Sequence, residues 1–278
     1  MQQQGSFCDF PGGDSWVILS PIEQSIKKKI EAVGTPLKDW DINIYRGVLT
    51  GYNEAFIISS EKRDEILSNC RTEDERKRTE ELIRPILRGR DIKRYGYEWA
   101  DLWLINTHNG VKGRIPRIRI EDYPAVKAHL DEFWVKIKDR ADQGDTPYNL
   151  RNCAYLEDFN KPKIVYPETT QGAFFAYDET GLMLDKTCFM LIANDAVYLQ
   201  RTLSSRLFEF AYKCIFSSVE LGKNGYQYNK HALIKLPIFL PGDNERRRIV
   251  ESAIDKLDEK IYSLYDIDEE EVEYINAD

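Results

Sequence analysis

GVLTGYNEAF (Gly47–Phe56) and LIRPILRGRDIKRYGYEW (Leu82–Trp99) are the two stretches that decide how this chain is expected to fold. In the first, closely spaced glycines interrupt β-branched and aromatic residues, a pattern that predicts a β-hairpin or strand-turn-strand over residues 41–59. The second is basic, is punctuated by proline and glycine, and ends in three aromatic residues. Its proline should end the charge-dense stretch Glu61–Ile83, which we therefore expect to form one or two surface helices.

Apolar side chains at helical spacing predict further helices at Ser20–Val33, Tyr123–Arg140, Val197–Ser218 and Asn244–Tyr265. The first has a capping signature, because Ser20 precedes a proline and is followed three residues later by a glutamate. The last carries an apolar seam with alternating spacings of four and three, made by Val250, Ile254, Leu257, Ile261 and Leu264. Such a seam is typical of a coiled coil, so we expect one long C-terminal helix followed by an acidic tail.

Apolar runs bounded by Pro, Gly and Asp are expected to be strands at Leu102–Ile105, Ile115–Ile120, Lys163–Tyr166, Ala173–Tyr177, Met183–Asp185 and Cys188–Ala193. Together with the helices they predict an α+β fold with an antiparallel or mixed β-sheet and flanking helices. We expect three parts: an N-terminal lead-in at residues 1–40, a main domain at 41–240, and the C-terminal helix with its tail at 241–278. Trp99, Trp103 and Trp134 are expected in the core.

Composition argues against several classes of protein. The 278 residues are 42% hydrophobic and 12% aromatic, enough for a packed core. No run of 18 apolar residues and no signal-peptide layout occurs, so we expect a soluble, cytoplasmic protein without a membrane partner. The cysteines are odd in number and scattered, which predicts reduced, mostly buried thiols at Cys8, Cys70, Cys153, Cys188 and Cys214.

Charge is unevenly distributed along the chain. The formal net charge is −8, and residues 243–278 alone account for all of it, with 13 acids and 5 bases. By contrast, Ile83–Arg119 carries nine bases and three acids, a net charge of +6. A local basic face of this kind attracts a polyanion such as a nucleic acid. A solvated charged surface without a partner is the alternative that charge alone leaves open.

Motifs for catalysis are not found. An amino-methyltransferase needs a polar-Pro-Pro-aromatic loop and a glycine-rich donor site, and the chain has neither a Pro-Pro dipeptide nor a G-x-G. Acid-x-Lys spacing, which a metal-dependent nuclease uses, occurs at Asp91–Lys93 and Asp258–Lys260, but such triplets arise by chance when 31% of residues are charged. The three histidines lack metal-binding spacing. We expect no catalytic residue, metal or cofactor in this chain.

Seven segments carry a family resemblance in their order: Pro36–Ile58, Leu82–Tyr95, Tyr123–Phe133, Lys161–Glu168, Tyr198–Phe210, His231–Pro241 and Lys260–Ile275. In this order they resemble the TaqI-like C-terminal specificity domain, the target recognition domain of type IIG restriction-modification enzymes and adenine DNA methyltransferases. The resemblance implies a module that recognises a site in double-stranded DNA and positions it for a methyltransferase and nuclease lobe. S-adenosylmethionine and Mg²⁺ would belong to those lobes. The chain is either a piece of a longer protein or a separate specificity subunit.

Residues expected to contact DNA lie in four segments: Thr50, Tyr52 and Asn53; Arg88, Arg90, Lys93 and Arg94; Lys112, Arg114, Arg117 and Arg119; and Glu168, Thr169, Thr170 and Gln171. Basic side chains suit phosphates and guanine, Gln171 suits adenine, and Glu168 can accept from a cytosine amine. Structural alternatives stay open, since Asn53 can cap its own turn and Arg90 can pair with Asp91.

Two other functions are consistent with the sequence. The seam in the C-terminal helix favours an assembly or specificity subunit that docks a methyltransferase or nuclease partner through that helix. An independent enzyme is the third alternative, and it requires donor binding or metal-stimulated cleavage by the chain itself.

Overall fold

A computed structural model describes residues 19–217, 220–221 and 225–277, so Cys8, Ser218 and residues 1–18 of the lead-in lie outside the described residues. Its strands are β1 (Gly34–Pro36), β2 (Ile42–Arg46), β3 (Ile57–Ser59), β4 (Ile83–Leu87), β5 (Ile92–Lys93), β6 (Gly96–Tyr97), β7 (Leu102–Ile105), β8 (Lys163–Pro167), β9 (Thr169–Thr170), β10 (Ala176–Asp178), β11 (Met183–Leu184), β12 (Cys188–Ala193), β13 (Glu220–Leu221), β14 (Gly225–Gln227) and β15 (Pro237–Phe239).

Its α-helices are α1 (Pro21–Val33), α2 (Asn53–Phe56), α3 (Ser60–Ser68), α4 (Glu73–Leu82), α5 (Pro124–Asp131), α6 (Trp134–Ile137), α7 (Ala196–Leu203), α8 (Arg206–Phe210), α9 (Lys230–Leu233), α10 (Asp243–Val250), α11 (Leu257–Leu264) and α12 (Glu269–Ala277). A π-helical stretch, Ala211–Phe216, follows α8. Short 3-10 turns occur at Leu37–Asp39, Gly89–Asp91, Ile120–Asp122, Leu156–Asn160 and Ile254–Lys256. The predicted α+β class is confirmed.

Contacts divide the chain into two units. The central unit comprises Ile42–Thr169 and Phe174–Gln200. The terminal unit comprises the described residues up to Asp41, Thr170–Ala173, and those from Arg201 onward. The functional division at residues 40 and 240 stays a prediction.

One sheet of the central unit has the strand order β10-β8-β12-β2, with every neighbouring pair antiparallel. β8 is buried along its whole length, as its apolar sequence requires. Lys163 at its start is fully buried and is neutralised by Asp178 of β10, with 2.5 Å between Nζ and Oδ2. A buried charge without a partner would be costly. The ion pair therefore favours the alignment of β8 and β10 in which Lys163 and Asp178 lie opposite each other.

A second sheet of the central unit has the order β11-β4-β7-β3, in which β11 and β4 are parallel and the other pairs antiparallel. Of the two arrangements predicted over residues 41–59, the hairpin is wrong, because β2 and β3 belong to different sheets, while strands do form on both sides of the turn. After β2 the chain turns towards β11 and β12 instead of folding back. The backbone N–H of Gly47 donates to Cys188 O at 2.9 Å, and that of Val48 donates to Leu184 O at 2.7 Å.

Helices of the central unit follow local capping signals. Ser59 and Thr72 cap α3 and α4, and the one or two surface helices predicted over residues 61–83 are thus two. The helix predicted over Tyr123–Arg140 is divided into α5 and α6. Its break comes at Phe133, whose N–H bonds the carbonyl three residues back and whose ring packs against His129.

The strand predicted at Ile115–Ile120 is wrong. Pro116 has no N–H to donate, and the N–H of Ile118 reaches back to His108 O at 3.1 Å. The segment therefore stays in an irregular loop that ends in a 3-10 turn.

The expectation that three tryptophans lie in the core is wrong for two of them. Trp99 is 37% exposed and Trp134 is 40% exposed, whereas Trp103 is half-buried beneath the Arg63 guanidinium. Trp99 packs against Trp103 with the two rings nearly perpendicular, and Trp134 lies against Tyr148. Each of these two tryptophans is thus only partly covered by its neighbour. Among the described cysteines, all free thiols, Cys188 is fully buried and the others are half-buried.

In the terminal unit, α1 begins with the predicted capping box, because Ser20 and Glu23 satisfy each other's backbone N–H groups. β1 pairs with β15, and β13 pairs with β14, both antiparallel. The helix predicted over Val197–Ser218 is interrupted, since Ser205 caps a new helix, α8.

The single long C-terminal helix is also wrong. Arg201 Nη1 donates to the carbonyls of Ile249 and Ser252, at 3.3 and 2.6 Å, and thereby satisfies groups at the point where α10 ends. Ile254 is 55% exposed, while Leu257 and Ile261 are buried within their own unit. The acidic tail folds as α12. In the described part of the chain, no helix is long and apolar enough to cross a membrane.

Candidate nucleic-acid interface

The turn between β11 and β12, residues 185–187, lies against both Gly47–Phe56 and Leu82–Trp99. We call it the DKT turn, and residues 47–51 the glycine turn. Gly47 lies so close to the DKT turn that an added Cβ would be 1.9 Å from Asp185 O. Gly89 donates its backbone N–H to the Thr187 hydroxyl at 2.8 Å. The two peptides are therefore neighbours in the central unit although Gly47 and Gly89 are 42 positions apart in sequence.

Asp185 gives the DKT turn its shape. Its carboxylate is buried and accepts hydrogen bonds from the Thr187 backbone N–H at 2.9 Å and from the Thr187 hydroxyl at 2.5 Å. An Asp side chain that bonds the backbone two residues on is a common way to stabilise a turn. Thr187 also accepts from Gly89, so the turn is set before any ligand binds.

An arginine that sequence reasoning missed lies beside this turn. Arg46 ion-pairs with Glu168, with 2.5 Å between Nη2 and Oε2, and donates from Nε to Lys186 O at 2.9 Å. Its guanidinium also lies over the Phe189 ring, 5.5 Å from the centroid. Two signals were present in the sequence: Arg46 directly precedes the glycine turn, and Asp-Lys-Thr at 185–187 is a turn pattern with an exposed lysine.

The basic segment, residues 88–94, contains one braced arginine. Arg88 donates from Nε and Nη2 to the two oxygens of Asp91, at 3.0 and 2.8 Å, and its backbone N–H donates to the same carboxylate. Burial raises the pKa of Asp91, but the hydrogen bonds from Arg88 outweigh it, and the net pKa is lowered. The same hydrogen bond raises the pKa of Arg88. The ion pair with Asp91 that the sequence left open for Arg90 is therefore made by Arg88 instead.

Two other cations of the basic segment face solvent. Arg90 and Lys93 are exposed, and the Lys93 ammonium donates to Arg90 O at 2.9 Å. Neither side chain has an acidic partner within hydrogen-bonding distance among the described residues. Arg94 is half-buried and has interactions of its own. The exposed pair adds positive charge to the segment whose Gly89 bonds the DKT turn.

The basic loop, residues 108–119, holds two ion-paired arginines. Arg114 pairs with Glu157 at 2.9 Å, and Arg117 pairs with Asp145 at 3.1 Å. Both pairs are exposed and contribute about 0–1 kcal/mol each, so a phosphate can displace either acid at little cost. Lys112 and Arg119 are exposed and have no ion pair within the described ranges.

One residue of the glycine turn that was predicted to contact DNA, Thr50, is buried inside the protein. Thr50 is only 3% exposed, and its hydroxyl lies 2.5 Å from Asn53 Oδ1. Asn53 is exposed at the start of α2, and Tyr52 is half-buried against the Phe133 ring. The bond between Thr50 and Asn53 matches the structural alternative, in which Asn53 closes its own turn.

The polar loop at residues 168–171 is divided between the units. Half-buried Glu168 and exposed Thr169 belong to the central unit. Thr170 and Gln171 belong to the terminal unit, where Thr170 is buried and its hydroxyl donates to Gly172 O at 2.7 Å. Gln171 is exposed, which leaves its amide accessible.

Contacts within the central unit link Arg46 to the segment that carries the acidic partner of Arg114. Tyr155 donates its hydroxyl to Arg46 O at 3.0 Å, and its ring stacks on Tyr45 with centroids 4.3 Å apart. Burial raises the pKa of Tyr155 to about 12, so its hydroxyl stays protonated and keeps donating at neutral pH. Tyr155 neighbours Glu157, the partner of Arg114 in the basic loop. Within the described ranges, no group of three or more His, Cys, Asp and Glu side chains is arranged to hold a metal ion.

Two solved structures share the fold of this chain. The chain is similar in structure to the type IIL restriction-modification enzyme MmeI in complex with DNA, with a TM-score of 0.58 and 13% sequence identity over 87% of this chain and 36% of that one. It is also similar to the type IIG restriction endonuclease BpuSI, with a TM-score of 0.57 and 12% identity over 91% of this chain and 33% of that one. The chain therefore spans about a third of the length of these enzymes.

A sequence model of the TaqI-like C-terminal specificity domain matches residues 84–238. This range includes the basic segment, the basic loop and the DKT turn, and it confirms the family expected from the seven ordered segments. Since the match covers more than half of the chain, the protein belongs to the family of TaqI-like C-terminal specificity domains.

Proposed function

We propose that this protein is the DNA target-recognition module of a restriction-modification enzyme, and that it positions duplex DNA for an adenine methyltransferase and nuclease lobe outside the described fold. Membership of the specificity-domain family is the observation that carries the proposal. The meeting of the glycine turn, basic segment and DKT turn supports it, because a recognition surface needs several loops held on one scaffold.

Exposed cations without acidic partners are the best candidates for phosphate contacts. They are Arg90, Lys93, Lys112 and Arg119, all in the central unit. Arg114 and Arg117 are a second class, because each would exchange an exposed carboxylate for a phosphate. Such contacts supply affinity and orientation without reading sequence.

Side chains beside the DKT turn are better placed to read bases. Glu168 has one oxygen on Arg46, and a carboxylate can accept a further bond from a cytosine amine. Lys186 is exposed at the tip of the turn and can donate to guanine. Arg88 acts through Asp91 as a brace for the basic segment, and exposed Gln171 stays a candidate for adenine.

Methyl donor and divalent metal are assigned to the lobe outside this fold. The alternative role, docking a partner through a C-terminal coiled-coil seam, loses its motivation. Leu257 and Ile261, two residues of that seam, are buried within their own unit, and Ile254 is no longer aligned with them on one helix.

A charge-reversal pair tests the proposal. Binding of the chain to a fluorescein-labelled 25-base-pair duplex is measured by anisotropy across a salt series. R90E/K93E should weaken binding at least about tenfold at low salt and reduce the salt slope by about two, because two phosphate contacts are lost. R76E/K77E on α4 is the matched control, with the same charge change at two adjacent exposed residues. Equal behaviour of the two variants would place the DNA-binding surface elsewhere.

A further inference from the structure

A buried arginine lies behind the glycine turn. Arg140 is 6% exposed, and its guanidinium donates to four backbone carbonyls. Nε bonds Thr50 O at 2.8 Å, Nη2 bonds Asn149 O at 2.5 Å, and Nη1 bonds both Ile137 O, at 3.3 Å, and Pro147 O. The planar, five-donor fork of arginine is the side chain that can serve several acceptors in fixed directions.

Arg140 is unlike the other cations of the interface. Burial lowers its pKa to about 10, yet at neutral pH it stays charged. Its hydrogen bonds all go to carbonyl oxygens, and its guanidinium lies over the Phe56 ring, 4.5 Å from the centroid. Four of its five N–H donors are used by carbonyls, and at 6% exposure the guanidinium is not open to a phosphate. Its role must come from the segments that it joins.

Close packing makes the join rigid at the glycine turn. Gly51 has a φ of +69°, a conformation that favours glycine, and a Cβ added there would be 2.9 Å from the Arg140 Cδ. The side chain therefore lies directly against the turn whose carbonyl it bonds. Movement of Arg140 would move the turn.

Asn149 extends the same connection to the basic loop. Its side chain is 1% exposed, and its Nδ2 donates to Ile118 O at 2.9 Å. Ile118 lies between Arg117 and Arg119, two of the predicted phosphate contacts. The neighbouring Leu150 N–H donates to Thr107 O at 2.9 Å, which ties the start of that loop as well.

We propose that Arg140 and Asn149 are positioning residues, which set the spacing between the glycine turn and the basic loop and thereby determine how well the surface discriminates between DNA sequences. This inference rests on the proposed function and adds residues that touch no DNA. The physical reason is that base readout depends on donors held within about 0.5 Å of their productive positions, whereas attraction to phosphates tolerates larger displacements.

Two variants separate positioning from other roles. R140K keeps the charge but replaces the planar fork by a single ammonium, which cannot reach four carbonyls in different directions. N149A removes the donor to Ile118 O. The matched control is R63K, the same chemical change at another largely buried arginine of the central unit, which stacks on Trp103 and pairs with Glu80.

The experiment is a selection of duplexes from a library with 20 randomised base pairs, using the full chain. Affinities for the enriched duplex and for a scrambled duplex are then compared. We expect R140K and N149A to lower the ratio of these affinities at least about tenfold, while the salt slope on scrambled DNA stays unchanged. R63K should keep the wild-type ratio. Hydrogen exchange should also rise in residues 47–51 and 107–119 of R140K.

Outcomes distinguish the two proposals. If the wild-type chain enriches a sequence and R140K retains the full ratio with unchanged exchange, positioning by Arg140 is overturned while the proposed function stands. If R140K lost the same amount of affinity for both duplexes and had a smaller salt slope, Arg140 would contact phosphate. That result would also overturn the proposal that Arg140 is a positioning residue. If the wild-type chain enriches no sequence, the proposed function fails, and the inference fails with it.

Discussion

Gly47 and Cys188 are joined by a 2.9 Å hydrogen bond from the backbone N–H of the first to the carbonyl of the second. This bond diverts the chain after β2 towards the DKT turn, where Gly89 of the basic segment also bonds. Two peptides that are separate in sequence thereby become adjacent loops of one surface. The recognition surface depends on this diversion, because the local sequence of the glycine turn favours a simple hairpin.

Replacing Gly47 tests the diversion. In G47A the new Cβ would overlap Asp185 O, 1.9 Å away, so backbone must shift. We expect a loss of about 2 kcal/mol or more in the free energy of unfolding. Urea denaturation measures the change. G96A is the control, since nothing lies within 4 Å of a Cβ added at Gly96, and a similar loss there would show that crowding at Gly47 is unimportant.

Removing Asp91 tests the brace on the basic segment. D91A leaves the Arg88 guanidinium and backbone N–H without their carboxylate, and we expect the free energy of unfolding to fall by about 1–3 kcal/mol. The folded-state pKa of Asp91 is lowered, so this stabilisation is present above the unfolded pKa of about 4 and is lost as pH falls through the folded value. Denaturation at pH 7 and at pH 3 measures both.

The pH series has its own control. D64N removes an exposed carboxylate that pairs loosely with Arg63 at 3.4 Å, and it should leave stability within about 0.5 kcal/mol at both values. A difference between wild type and D91A that does not shrink at low pH would rule out the carboxylate as its source.

Neutralising Asp145 should strengthen DNA binding. Asp145 pairs with Arg117 at 3.1 Å in an exposed position, so the acid both occupies a predicted phosphate contact and repels phosphate. D145N should increase affinity for duplex DNA about two- to fivefold at low salt, with the gain vanishing at high salt. Anisotropy titrations measure it, and E259Q, an equivalent change on α11, should have no effect. Unchanged or weaker binding by D145N would exclude Arg117 from the contact surface.

Locally encoded elements were predictable from sequence. The capping box of α1 and the two helices over residues 61–83 are set by residues three or four positions apart, and both formed as expected. The strand β12 was likewise evident from its apolar run. In the helices the decisive contacts lie within the segment itself, whereas β12 was evident from residue type although its hydrogen bonds go to β2 and β8.

Elements that depend on distant partners were not predictable. The C-terminal helix is interrupted at the carbonyls that Arg201 captures, about 50 residues away in sequence. At the candidate site, buried Thr50 has its carbonyl bonded by Arg140, 90 residues away, and Arg114 and Arg117 have acidic partners 43 and 28 residues further on. Residue type indicated the charge of these side chains. Their exposure was set by tertiary contacts.

The central claim, that the protein recognises a DNA site, is tested most directly by the ratio of its affinities for a duplex enriched by the wild-type chain and for a scrambled duplex of the same composition. Titrations of the full chain at 150 mM salt provide this ratio. The account predicts a ratio of about 10³ or more, as for specific DNA-binding proteins. Equal affinities, or no binding to either duplex, would contradict it.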